Sequence, residues 1–387
     1  MNLMNTYKLK ELLTIKNGRD HKDLKDGDIP VYGSGGLMRH VDTAIYNEES
    51  ILLPRKGTLS NIQYVNTPFW TVDTIYYTEV NESKANPFYL YNYLTMLDLS
   101  NLNSGTGVPS MTFSSYYDID VKLPSLEEQN SISKVLSSLD SKIELNNQIN
   151  QQLEEMAKTI YDYWFVQFDF PNEEGKPYKS SGGKMVYNKQ LKREIPAGWE
   201  VRSLLDIATF TNGIASQRFR PKEGEDFLPV IKIREMRDGF DENTEKVTEN
   251  ISDDVKVYNG DVLFSWSASL EVMIWTGGDG GLNQHIFKVV SDDYPRSFYY
   301  FQLVWYLQHF KMIADLRKTT MGHITREHLK QSRIVVPPID LIKQLDDILK
   351  PIQEKQILNS EENQQLASLR DWLLPMLMNG QVTVGEG

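Results

Sequence analysis

The chain contains no cysteine. Disulfides and cysteine-ligated zinc are thereby excluded, and the composition fits a cytoplasmic protein. No apolar run reaches the length of about 18 residues that a transmembrane helix needs. The N-terminus lacks a basic-then-apolar signal pattern. Catalytic signatures are also missing. There is no G-x-x-x-x-G-K-[S/T] phosphate loop, no G-x-G-x-x-G after a strand, and no N-P-P-Y or D-P-P-Y tetrapeptide for amino-methylation. His323 and His328 lie without a third ligand nearby, so they read as exposed or hydrogen-bonded side chains and not as a metal site. The glycine-rich stretches Gly33–Gly36 and Gly277–Gly281 read as turns. An excess of positive charge is absent as well: the net charge is −12, which taken alone argues against a nucleic-acid partner. The acidity is spread over every large segment, and residues 166–198 alone are net basic. Any basic surface is therefore local.

What is present is a repeat. The stretch 124–165 carries apolar residues at alternating steps of four and three: Ile132, Leu136, Leu139, Ile143, then Leu153, Ala157, Ile160 and Trp164. That spacing places them on one seam of a long helix. The pattern returns 213 residues later as Leu345, Leu349, Ile352, Gln356, Asn359, Asn363, Leu366, Arg370, Leu373 and Leu377, and both copies contain the tetrapeptide NQQL. Two seam positions near the middle, Asn146 and Asn150, are polar. If the copies pack antiparallel about their centres, Asn146 faces Asn363 and Asn150 faces Asn359, so that amides meet amides. The helix-pairing set is then Leu139, Ile143, Asn146, Asn150 and Leu153 with Ile352, Asn359, Asn363 and Leu366. Pro351 stands where the first copy has Ser138, and predicts a short helix, a break or kink, and a longer helix in each stretch. From Leu139 to Phe165 such a helix spans roughly 40 Å, close to one turn of DNA at about 34–36 Å.

The segments before the two helical stretches also resemble each other. Residues 1–123 read as a β-rich mixed domain, with strands at Ile51–Leu53 and Thr71–Tyr77 and a helix from Pro87 to Asp98. Residues 199–336 repeat that outline: Ser50–Leu53 parallels Asp261–Phe264 and Asp73–Tyr76 parallels Gln284–Phe287, both at an offset of 211. Their polar loops differ, which points to two related but distinct binding surfaces. Residues 166–198 read as a connector, a solvated linker. The predicted fold class is α+β, with two mixed domains (1–123 and 199–336) and two long helices (124–165 and 337–380) packed as an antiparallel coiled coil.

These patterns carry a family likeness. LPSLEEQNSI and SLDSKIELNNQINQQLEEMAKTIYDYWF in the first helical block, the connector FDFPNEEGKPYKSSGGKMVYNKQLKREIPAGWEV, and SGTGVPSMTFSSYYDIDVKLP before the helix together resemble the specificity subunit of type I restriction–modification enzymes, over essentially the whole length. The resemblance implies two target-recognition domains, each reading one half of a split, asymmetric double-stranded DNA site, with the helices pairing as a ruler between them. It implies a non-catalytic chain that binds no cofactor. It further implies that two methyltransferase subunits using S-adenosylmethionine dock on the chain and that motor–nuclease subunits join, so that ATP and magnesium belong to the partners. Departures are the lack of a P-x-G-W box before the first domain, and Pro351 and Arg370 where the first helix has Ser138 and Ala157. The competing readings are a DNA-modifying enzyme with its own catalytic centre and a protein-binding scaffold.

Lysine and arginine place a protein on phosphates, while arginine, lysine, amide and hydroxyl side chains reach base edges. In the first domain the DNA-binding candidates are Tyr32, Ser34, Arg39, Arg55, Lys56, Thr58 and Ser60, with Ser104, Thr106 and Ser110 in the loop before the helix. In the second they are Gln217, Arg218, Arg220 and Lys222, then Lys232, Arg234 and Arg237, then Arg317, Lys318, Thr319, Thr320 and His323. The aromatic ends of the helices, at Tyr161–Phe165 and Trp372–Leu374, either pack on their own domains or take part in docking.

Overall fold

A computed structural model describes residues 4–99, 109–267, 269–316 and 323–384. It divides into two compact units. Residues 1–143 with 366–387 make one, and residues 144–365 make the other. Neither helical stretch stands apart as its own segment. Each is shared, the first dividing at 143/144 and the second at 365/366.

In the first unit a four-stranded antiparallel sheet has the order Leu13–Asn17, Ile75–Val80, Ser50–Pro54, Gln63–Val65. A second sheet joins Gly36–Val41, Ile29–Gly33 and Trp70–Thr71, the last pair parallel. The single strand expected over Thr71–Tyr77 is therefore two. Thr71 pairs with Tyr32 in one sheet and Ile75 with Pro54 in the other, so the chain turns between them to change sheets. The helix expected from Pro87 ends at Thr95. Pro87 opens it, and the Asn86 side chain caps it by accepting from the Tyr89 amide at 2.9 Å. Asn5–Lys8 pairs with Asp120–Leu123 and closes the unit. Its core includes Leu12, Ile51, Tyr89 and Tyr116, and takes in Ile132 and Leu136 from the start of the first long helix and Leu377 from the end of the second.

The second unit repeats the plan. Thr209–Asn212, Ile286–Val290, Val262–Ser265 and Glu271–Ile274 form the antiparallel sheet. Phe227–Ile231 again runs parallel to a short strand, Gly280–Leu282. Glu200–Arg202 pairs with Ile334–Val336 to close this unit. Two glycines share one job. A Cβ on Gly18 would collide with the carbonyl oxygen of Val72, and one on Gly213 with those of Leu282 and Asn283. In both units the strand end passes so close to the neighbouring backbone that only glycine fits.

The long helices run unbroken over Leu126–Tyr161 and Ile339–Met378, so the break expected at Pro351 does not occur. Pro351 lies on the exposed side, as does Asp347, whose carbonyl loses its helical donor to the proline. Leu345, Leu349 and Gln353 on the opposite side are buried and keep the helix continuous through the proline. The seam amides meet as antiparallel packing about the helix centres requires. Asn146 Nδ2 donates to Asn363 Oδ1 at 2.9 Å and to Glu362 Oε2 at 2.8 Å. Asn359 Nδ2 donates to Asn150 Oδ1 at 2.8 Å. Rising numbers in one helix thus meet falling numbers in the other. Leu139, Ile143, Leu153, Ile352 and Leu366 are half-buried. Arg370, the departure from Ala157, pairs with Asp140 at 2.9 Å.

The connector is not a solvated linker. Phe168, Phe170 and Ile195 are buried with Trp199 in the main core of the second unit. Phe170 stacks between Tyr178 and Trp199, with ring centroids 4.5 and 5.2 Å away. Met185–Asn188 and Arg193–Pro196 form a hairpin. The segment folds because its polar residues alternate with aromatic ones that find a partner in Trp199; composition averaged over the stretch hides this. Among the described residues no helix is long and apolar enough to cross a membrane.

Candidate nucleic-acid interface

In the first unit, four loops converge at one end of the central sheet. The 13–17 and 50–54 strands end there and the 75–80 strand begins there, because they are antiparallel. Gly33–Gly36 closes a tight hairpin whose two central residues are Ser34 and Gly35. Asn61 Nδ2 donates to the Ser34 carbonyl at 2.7 Å, and Gln63 Nε2 donates to the Gly33 carbonyl at 3.1 Å. The Ser34 amide donates to Thr74 Oγ1 at 3.3 Å. The amides of Arg55 and Lys56 both donate to the Thr74 carbonyl. Lys56 bridges to Ser110, and the Met111 amide donates to the Arg55 carbonyl at 3.0 Å. The structure thus brings Ser34, Arg55, Lys56 and Ser110 together, with exposed Thr58 and Ser60 on the adjoining loop.

Arg55 reaches outward over the Tyr76 ring, 6.0 Å from its centroid, and Nη1 donates to the Asp73 carbonyl at 3.3 Å. Burial raises the Tyr76 phenol above its ordinary pKa, and the Arg55 charge opposes that rise. Tyr32 lies beneath the hairpin, half-buried, its phenol pKa also raised by burial. Both phenols therefore stay neutral, and the Tyr76 ring underlies the Arg55 charge. Arg39 does not join the cluster. Its Nη2 donates to the Leu24 carbonyl at 2.8 Å and pairs with Asp26 at 3.2 Å, which spends the cation on holding a loop.

The second unit presents the same sheet end. The Ile324 amide donates to the Trp266 carbonyl at 3.0 Å, the counterpart of Met111 and Arg55. Trp266 Nε1 donates to Asn212 Oδ1 at 2.9 Å. His285 and His323 flank the indole. His323 was among the candidates from sequence; Trp266, His285 and Asn212 were not. Their signal lies in the repeat, since Trp266 and His285 stand 211 residues after Arg55 and Thr74, but an indole carries no charge to mark it as a phosphate or base-edge contact. His328 is buried and accepts the Thr325 amide at its Nδ1, at 3.0 Å, a helix cap.

The KIREMR cluster is largely spent internally. Arg234 pairs with buried Glu235 and with Asp241, Arg237 pairs with Glu271, and Lys232 pairs with Glu245. The Arg234 charge is held by those hydrogen bonds, Glu235 first, and its pKa rises accordingly. These residues brace the helix Ile233–Asp238, which stands where the first unit has its two-residue hairpin turn. Gln217, Arg218, Arg220 and Lys222 are exposed around the turn Ser216–Arg218. Ser104, Thr106, Arg317, Lys318, Thr319 and Thr320 lie outside the described residues.

Comparison with known proteins agrees with this duplicated plan. The family profile described as type I restriction modification DNA specificity domain matches residues 1–155 and 196–368, most of the chain. The MjaIX type I restriction enzyme specificity subunit of Methanocaldococcus jannaschii is 26% identical over 361 residues, 90% of this chain and 81% of that one. The HindI specificity subunit of Haemophilus influenzae is 24% identical over 339 residues, 73% of each. The crystal structure of a type I restriction–modification S subunit from M. genitalium superposes over 100% of this chain and 97% of that one, with a TM-score of 0.64 at 13% identity, and shows the shared fold. The chain belongs to the specificity subunits of type I restriction–modification systems.

Proposed function

We propose that each unit reads one half of a bipartite, asymmetric DNA site through the loops gathered at one end of its central sheet. The observation that carries this is the repeated hydrogen bond from Met111 to Arg55 and from Ile324 to Trp266. One backbone frame offers different side chains in the two copies, as two unlike half-sites require. Exposed Lys56, Arg218, Arg220 and Lys222 supply local cations on an otherwise acidic chain.

In this reading the chain is non-catalytic and cytoplasmic. The paired helices set the spacing between half-sites and dock two methyltransferase subunits, with motor–nuclease subunits completing the complex. S-adenosylmethionine, ATP and magnesium belong to those partners. Co-expression with the neighbouring methyltransferase subunit, followed by genome-wide mapping of methylated bases, tests it. A split motif with a fixed spacer is the expected result. Methylation by the purified chain alone with S-adenosylmethionine overturns the non-catalytic assignment.

A further inference from the structure

The two sheet ends share a backbone frame but not a chemistry. In the first unit the frame presents Arg55 and Lys56. At the same offset the second unit presents Trp266 and Ser267, and Ser267 is buried. Thr74 is replaced by His285, and Ser110 by His323. The socket positions that carry cations in one copy carry none in the other.

The indole is half-exposed, and it is fixed. Its centroid lies 5.7 Å from His285, 5.5 Å from His323 and 5.9 Å from Phe287, which is buried behind it. Its N–H is occupied by Asn212. With that group satisfied inside the protein, what remains for a partner is a flat apolar surface flanked by two exposed imidazoles. A ring clamped this way loses little side-chain entropy on contact. Guanidinium and ammonium groups release counterions from DNA and lose strength as salt rises. Aromatic contact with a base face or a thymine methyl releases none.

We infer that Trp266, held between His285 and His323, is the specificity-determining contact of the second unit, which reads its half-site with an aromatic surface where the first unit uses the Arg55–Lys56 cations. The inference rests on the recognition function proposed above. It adds that the two half-sites are read by different physical interactions.

The test uses the full chain assembled with its methyltransferase subunits, as parent and as Trp266→Ala, Trp266→Phe and His285→Ala variants. Methylation maps and binding to a duplex bearing the parent motif are read at two or more salt concentrations. Trp266→Ala is expected to broaden the consensus of one half only, and to weaken binding on the order of tenfold. Trp266→Phe retains most of the selectivity. The salt slope of binding is unchanged by Trp266→Ala. His285 is exposed and its substitution leaves the core intact, so its variant decides the matter if Trp266→Ala fails to assemble: a broadened consensus in that same half supports the inference. A parent with a bipartite motif, and variants that keep both half consensuses and parent affinity, overturns this inference alone. A parent with no bipartite motif overturns the recognition reading as well.

Discussion

Asn359 donates its side-chain amide to the Asn150 side-chain carbonyl at 2.8 Å, and Asn150 donates in turn to the Gln356 carbonyl and the Ser360 hydroxyl, both at 3.1 Å. Asn359 is buried, so it has no water to fall back on. Replacing Asn150 with leucine leaves that amide unsatisfied and is expected to cost about 1–3 kcal/mol. Asn150→Leu combined with Asn359→Leu should cost less than the two singles together, because both polar partners are then gone. Urea midpoints of the four proteins check this; strict additivity would show that the amides are not coupled.

Pro351 offers the opposite case. It sits inside a continuous helix on the exposed side, where its ring denies the Asp347 carbonyl a donor. Pro351→Ala restores that bond and is expected to stabilise the chain by roughly 1–3 kcal/mol. A lower melting temperature in the variant would contradict the account.

Gly18 and Gly213 are expected to be intolerant of any side chain. Alanine at either forces two backbones apart, against the carbonyl oxygens of Val72 in one unit and of Leu282 and Asn283 in the other. Each substitution should lower the melting temperature by several degrees, about 2 kcal/mol or more. Wild-type melting of Gly213→Ala would show that the strand end has room to move.

Arg55→Ala with Lys56→Ala should weaken DNA binding by the assembled complex and reduce the salt slope by about 1–2. The comparison is made on the same duplex over a range of salt. An unchanged slope would remove these two residues from the interface.

Acid stability tests a cap. The Asp206 carboxylate accepts the Ser203 amide at 2.7 Å and the Ser203 hydroxyl at 2.8 Å. Those bonds, the backbone one first, hold its pKa below the ordinary carboxylate value. A folded-state pKa depressed in this way contributes stability above the ordinary value, and the contribution is lost as pH falls through the folded one. Asp206→Asn should therefore melt below the parent at neutral pH, with the difference shrinking on acidification below about pH 4. A difference independent of pH would assign the loss to packing.

The sequence by itself determined the duplicated plan, the two helices and the pairing of their central amides. Those features follow from periodicity and from symmetry about a midpoint, and both are properties of a linear string. The glycine turn at Ser34–Gly35 was legible for the same reason, since local backbone geometry demands it. The tertiary structure decided what depends on neighbours remote in the chain. It kept the helix continuous through Pro351, because Leu345 and Leu349 are buried on one side while Asp347 and Pro351 lie on the exposed one. It folded the connector, because Trp199 was there to receive Phe170. It withdrew Arg39, Lys232, Arg234 and Arg237 from the basic surface by supplying each with a carboxylate. It also gathered His285, His323 and Asn212 around Trp266. Charge can be counted along a chain, but whether a charge is already paired is settled only in three dimensions.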